Sequence, residues 1–238
     1  MNWKKLQNGS DIRGVALEGI EGEHVNLTPE VIETIAKSFV RWIRNTIGCQ
    51  TPKIAIGTDS RLSGATIKNA FIKGAVEAGA DIIDCSLAST PAMFMATVND
   101  DVQATASVMV TASHLPYNRN GLKFFTPKGG LDNRDIADIL DIAERGDYAY
   151  DEAAGHSATL DFMTIYSSHI ADYICQGVHA DDYEQPLKGM HIVVDAGNGG
   201  GGFFERILSQ LGADTKGSQF LDPDGRFPNH IPNPENDE

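Results

Sequence analysis

The chain has 238 residues, 41% of them hydrophobic and 22% charged, with a formal net charge of -14 at pH 7. This allows a large α/β domain with part of a second. The acidic balance argues against nucleic acid and anionic membranes, which call for clustered Lys and Arg. A small phosphorylated ligand needs only a few local cations and stays open. Cys49, Cys85 and Cys175 are far apart and show no C-x-x-C or zinc spacing, which points to a reducing, cytoplasmic setting. "MNWKKLQNGSDIRG" at the start lacks the apolar run of a signal peptide, and no stretch approaches a membrane span.

In chain order, "TPEVIETIAKSFVRWIRNTIG" predicts a helix capped by Thr28, with Pro29 at its first position. Val31, Ile35, Phe39 and Ile43 recur four apart and give it an apolar face. "KIAIG" is a short apolar strand. "SGATIKNAFIKGAVEAGA" is a helix that Ser63 opens and Gly79 stops. "DIIDCS" is a strand, and Thr90-Pro91 starts another helix. "SVMVTAS" and "LKFFT" are strands, followed by the helix "DNRDIADILDIAERG". Such alternation predicts α/β layers around a largely parallel sheet.

"GDYAYDEAAGHSA" reads as a polar connector, and "TLDFMTIYSSHIADYICQGV" as a helix. Pro186 and Gly189 mark a boundary. Strand "MHIVVDA", turn "GNGGGG" and helix "FFERILSQLGA" then open a second unit. The expected division is 1–150 as first domain, 151–186 as connector and helix, and 187–238 as partial second domain.

Four chemistries compete. Gly197, Gly199 and Gly202 satisfy G-x-G-x-x-G between a strand and a helix, with Asp222 about 20 residues on, as a dinucleotide site would have them. Strand-to-helix turns use glycine anyway. A serine hydrolase finds no G-x-S-x-G around Ser113, and adjacent Ser113 and His114 in extended chain would face opposite sides. A metal site finds scattered histidines, and "DPDG" reads as a turn. Phosphoryl transfer needs an exposed oxygen on a rigid support, positive charge and a proton-handling group. Ser113 follows a strand's C-terminal end, Lys123 comes ten residues later, and Arg13 and Arg61 sit in "NGSDIRG" and "IGTDSRLSG".

"TASHLPYNRNGLKF" resembles the phosphoserine loop of the α-D-phosphohexomutases, the family of phosphoglucomutase and phosphomannomutase. "SDIRG", "IGTDSRLSG", "VVDAGNGGGG" and "PDGRFPNHIPNPE" resemble further family segments in the family's order. The resemblance implies a three-layer α/β/α first domain and the start of a second α/β domain. It implies a mutase moving a phosphoryl group between the 1- and 6-positions of a hexose phosphate, through a phosphoserine and a hexose 1,6-bisphosphate. Ser113 would carry the group, and Lys123 would act as general base. His114 would order the loop or assist proton transfer. Arg13, Arg61 and Asn120 would bind phosphate or substrate. Mg²⁺ would be held by the Ser113 phosphate and by aspartates of a loop beyond this chain. The chain would then be a fragment, inactive alone. Leu115 departs from the family pattern, which has asparagine there.

Overall fold

Side chains alternate across the strands, and both faces of the sheet they build are buried. Ile54, Ile56, Val108, Val110 and Phe124 face one core, while Ala55, Met109 and Phe125 face a second. The structure is a computed structural model describing residues 1–148 and 154–233. Part of the expected connector, 149–153, and the last residues, 234–238, lie outside the described residues.

A 3₁₀ turn, Trp3–Leu6, leads into β1 (Gln7–Asn8) and β2 (Asp11–Val15). Then follow α1 (Pro29–Thr46), β3 (Lys53–Thr58), α2 (Gly64–Glu77), β4 (Asp81–Leu87) and α3 (Thr90–Val98). Next come β5 (Ala106–Val110), β6 (Arg119–Thr126), β7 (Gly129–Gly130), α4 (Asn133–Arg145) and β8 (Ser157–Thr159). Helices α5 (Phe162–Val178) and α6 (Phe203–Gln210) complete the order.

The sheet runs β1-β2-β6-β5-β3-β4-β8, with β7 on β6. Only β5, β3, β4 and β8 are parallel neighbours; β1, β2, β6 and β7 pair antiparallel. The largely parallel expectation is corrected on that side. The reason is local: β6 returns directly from β5 through a polar loop, and β2 adds to its free edge. The stretch read as connector contributes β8 to the opposite edge, through pairs such as Ile82 with Ser157. Its three residues are all exposed, so no apolar alternation announced them.

Helices α1, α2 and α4 cover one face; α3 and α5 cover the other. Thr28 caps α1 and Pro29 opens it, as expected. Asp132 and Asp135 form a capping box on α4, and Gly146 ends it in the left-handed region. Ser63 precedes α2 without a side-chain cap bond, since its backbone is helical and not extended, and its Oγ accepts from Asn120. The first core centres on Phe39, whose ring lies 4.6 Å from that of Phe124 and 6.4 Å from that of Phe71.

The second unit is sparer. The strand expected over 190–196 is present only as isolated parallel bridges, His191 with Asp214 and Asp195 with Gln219. Its small core gathers Cys175, Leu187, Ile207, Leu208, Leu211 and Ala213. Among the described residues no helix is long and apolar enough to cross a membrane.

Phe39→Ala should cost about 3–5 kcal/mol, since a fully buried ring is lost and its cavity closes only partly. Urea unfolding reads this as a lower midpoint, and an unchanged midpoint would contradict the packing.

Candidate phosphoryl-carrier site

The chain leaves β3 for α2 on one face and returns from β4 to β5 through α3 on the other. The ends of β3 and β5 therefore open a crevice between them, where α/β sheets place ligands. Two loops meet there, 59–63 after β3 and 111–118 after β5. Arg61 comes from the first and Ser113 from the second.

Ser113 is exposed and has φ 53°. This corrects the extended-chain reading of the Ser113–His114 pair. A non-glycine residue in the left-handed region costs on the order of 1–3 kcal/mol and needs surroundings that hold it. Its N–H donates to Thr111 Oγ1 at 3.0 Å, and its carbonyl accepts from Arg61 at 2.8 Å. His114 is exposed and makes no hydrogen bond to Ser113.

Arg61 sits beneath the loop, its side chain fully buried. One terminal nitrogen donates to the carbonyls of Pro116 and Arg119, at 2.7 and 3.1 Å. The other donates to those of Ser113 and Leu115, at 2.8 and 2.7 Å. The sequence suggested a phosphate contact; in the structure these nitrogens face loop carbonyls instead. Asp59 braces the arrangement by accepting from the Arg61 N–H at 3.0 Å and the Thr111 hydroxyl at 2.7 Å. Burial pushes the Asp59 carboxyl above the usual carboxylate range, against those hydrogen bonds and the Arg61 charge. Burial likewise lowers Arg61, and Asp59 partly offsets it.

Arg13 lies on β2 and Lys123 on β6, whose register pairs Asp11 with Lys123 and Arg13 with Gly121. Asp11 and Arg13 are two apart and share a sheet face. Asp11 links the two cations, with one oxygen 2.9 Å from Lys123 Nζ and the other 2.7 Å from Arg13. The same Arg13 nitrogen donates to Ser113 Oγ at 3.1 Å. Arg13 Nε is buried without a partner. Gly121 makes room: a Cβ there would lie 2.2 Å from the Ile12 carbonyl oxygen and 3.2 Å from Arg13 Cδ. Asn120, expected to line the site, is fully buried and donates to Ser63 Oγ at 2.8 Å. The structure thus joins Ser113, Arg13 and Lys123 through Asp11, and sets Asn120 apart.

A cleft of about 290 Å³ opens in front of Ser113, lined also by Asp59, Asp195, Gly199, Phe227 and His230. Across it, His230 Nε2 lies 3.1 Å from Asp195 and Nδ1 lies 2.9 Å from the Ile231 carbonyl. That carbonyl and then Asp195 raise the His230 pKa, while the Gln219 amide is the main cause lowering Asp195. In the glycine turn, the N–H groups of Gly197, Asn198 and Gly199 donate to Asp195, Phe220 and Ala196.

The sequence profile of the phosphoglucomutase/phosphomannomutase alpha/beta/alpha domain I matches residues 4–149. The chain belongs to that family. A phosphoglucomutase/phosphomannomutase of Thermococcus kodakarensis is 32% identical over 234 residues, 97% of this chain and 48% of the relative. A phosphoglucomutase of Neisseria meningitidis serogroup B is 30% identical over 225 residues, 94% of this chain and 44% of the relative. This phosphoglucomutase/phosphomannomutase family chain spans less than half the length of those relatives. Its fold matches a family protein of Burkholderia thailandensis with a TM-score of 0.77 at 23% identity, covering 96% of this chain and 46% of that one.

Sequence reasoning missed Asp11, Asp59 and Thr111. Asp11 was findable, because strand alternation puts it beside Arg13. Asp59 and Thr111 meet only because β3 and β5 are neighbours.

Gly121→Val should destabilise the protein by about 1–3 kcal/mol or more, because its Cβ meets strand backbone that cannot move aside. Thermal unfolding measures it; an unchanged midpoint would contradict the close approach of β2 and β6.

Proposed function

We propose that Ser113 carries a phosphoryl group and that this chain is the donor part of a phosphosugar mutase. The enzyme interconverts hexose 1- and 6-phosphates through a hexose 1,6-bisphosphate, Ser113 giving its phosphoryl group to the sugar and taking back the other. The observation carrying this reading is Arg13. It donates to the Ser113 hydroxyl while its buried Nε has no partner. Arg13 and Lys123 both pair with the Asp11 carboxylate, which holds two cations beside Ser113 in a chain of net charge -14.

A sugar hydroxyl oxygen bonds to phosphorus as the bond from phosphorus to Ser113 Oγ breaks. The hydroxyl proton passes to the Lys123–Asp11 pair. Charge on the leaving Oγ is met by the Arg13 guanidinium until that oxygen is protonated. In the return step the sugar's other phosphate moves to Ser113. His114, exposed beside it, orders the loop or assists proton transfer.

The family resemblance implies Mg²⁺ in the complete enzyme. Among the described residues no group of three or more His, Cys, Asp or Glu side chains converges as a metal site. Mg²⁺ wants near-octahedral oxygen ligation with carboxylates, and these residues do not fit it. Arg13 supplies the positive charge beside Ser113 here. The dinucleotide alternative lacks comparable support, since three N–H groups of the glycine turn already have protein acceptors.

Two experiments on the full-length protein test this. After incubation with a hexose 1,6-bisphosphate, peptide mapping should find phosphate on Ser113; phosphate on Ser107 or Thr111 alone would overturn the assignment. Lys123→Ala should lower turnover by about 10²–10⁴-fold with normal circular dichroism. Unchanged turnover would remove Lys123 from the mechanism.

A further inference from the structure

The second unit touches the first at the residue that holds the Ser113 loop. The Phe227 ring lies over the Arg61 guanidinium, 5.3 Å from Cζ to the ring centroid. Beside it, Gly225 presses on the backbone of 60–62: a Cβ there would lie 2.3 Å from the Ser60 carbonyl oxygen, 2.5 Å from the Leu62 nitrogen and 2.7 Å from Arg61 Cα. Only a residue without a side chain allows that approach.

The glycine turn sets the loop carrying Gly225 and Phe227. Asn198 donates through its amide to the Asp222 carbonyl at 2.9 Å, and its own carbonyl accepts from the Asp224 N–H at 2.9 Å. Asn229 donates to the Asn198 side-chain oxygen at 2.7 Å. Phe227 is held at φ 51°, with its N–H on the Asp224 carbonyl. A backbone held there implies surroundings that over-determine it.

We propose that Phe227 is a positioning residue for Ser113, acting through Arg61. The aromatic face covers the one planar cation whose four hydrogen bonds shape residues 113–119. When the 222–229 loop is seated, Arg61 has one position and so does the Ser113 carbonyl. When it lifts, the guanidinium gains room and water, and the left-handed Ser113 loses its support. Phe227 thereby sets the readiness of the carrier loop through Arg61. The functional half of this inference rests on Ser113 being the carrier; the structural half does not.

The test uses the full-length protein as wild type, Phe227→Leu and Phe227→Trp. Phe227 is only partly buried and lies outside the three apolar cores, so both variants should fold. Unchanged hydrogen exchange in α4 verifies this. Exchange over 113–119 is followed by mass spectrometry, where Ser113, Leu115 and Arg119 have hydrogen-bonded amides. Phosphorylation of Ser113 by a hexose 1,6-bisphosphate is followed alongside. Phe227→Leu should speed loop exchange and slow phosphorylation, each about tenfold. Phe227→Trp should restore both. Loop exchange at the wild-type rate in Phe227→Leu would overturn the coupling, as would failure of Trp to restore it. A wild-type protein taking no phosphate on Ser113 would overturn the carrier reading instead, and the exchange rates would still decide the coupling.

Discussion

A buried guanidinium facing four carbonyls is the constraint on which the crevice depends. The loop from Ser113 to Asn118 joins β5 to β6, and the carbonyls of Ser113, Leu115 and Pro116 lie outside the strand ladders. Left buried and unpaired, each would cost about 1–3 kcal/mol. The Arg61 fork meets carbonyls of Ser113, Leu115, Pro116 and Arg119 at once. Lysine is a point donor and could not reproduce that planar pattern. Burying the charge is costly in turn, and the Asp59 carboxylate on the same loop partly offsets it.

From that clamp the geometry of Ser113 follows. Its left-handed backbone is held from below by Arg61 and from its own N–H by Thr111, which Asp59 orients. The hydroxyl emerges beside Arg13, whose place is set by the β2–β6 register and by the absence of a side chain at Gly121. A neighbouring brace anchors the loop's far end: Glu23 accepts from Arg119 and from Asn118, which lowers the Glu23 pKa. Asp11, Arg13 and Lys123 thus stand on paired strands, and only Ser113 stands on a loop.

The glycine-rich turn changes meaning in this setting. As a motif, Gly197 to Gly202 fits a phosphate cradle. In the fold, its Asn198 is the hub of the 222–229 loop, and a Cβ at Gly202 would lie 2.1 Å from the Leu221 carbonyl oxygen. The glycines permit close backbone packing, a role that a one-dimensional pattern does not separate from ligand binding.

Periodicity alone determined much of this protein. The four-residue recurrence through Val31, Ile35, Phe39 and Ile43 placed α1, although burial falls on Ile32, Ile35, Phe39 and Ile43, while Val31 is only partly covered. Short apolar runs placed β3, β4, β5 and β6, and Thr28 and Gly146 marked helix ends. Local sequence carries such signals because each depends on neighbours within a few residues. Tertiary structure decided what depends on contacts across the chain. The exposed β8 pairs along the edge of β4, and the 190–196 segment forms only isolated bridges to residues 214 and 219. Arg61 and Asn120 looked in sequence like residues for a ligand, but neighbouring loops and helices fixed their partners inside the protein. Asp11 came between Lys123 and Arg13 because strands more than 100 residues apart in sequence lie side by side. A residue's type limits what it can bind, but its partners are chosen by whichever strands and loops the fold brings within hydrogen-bonding distance.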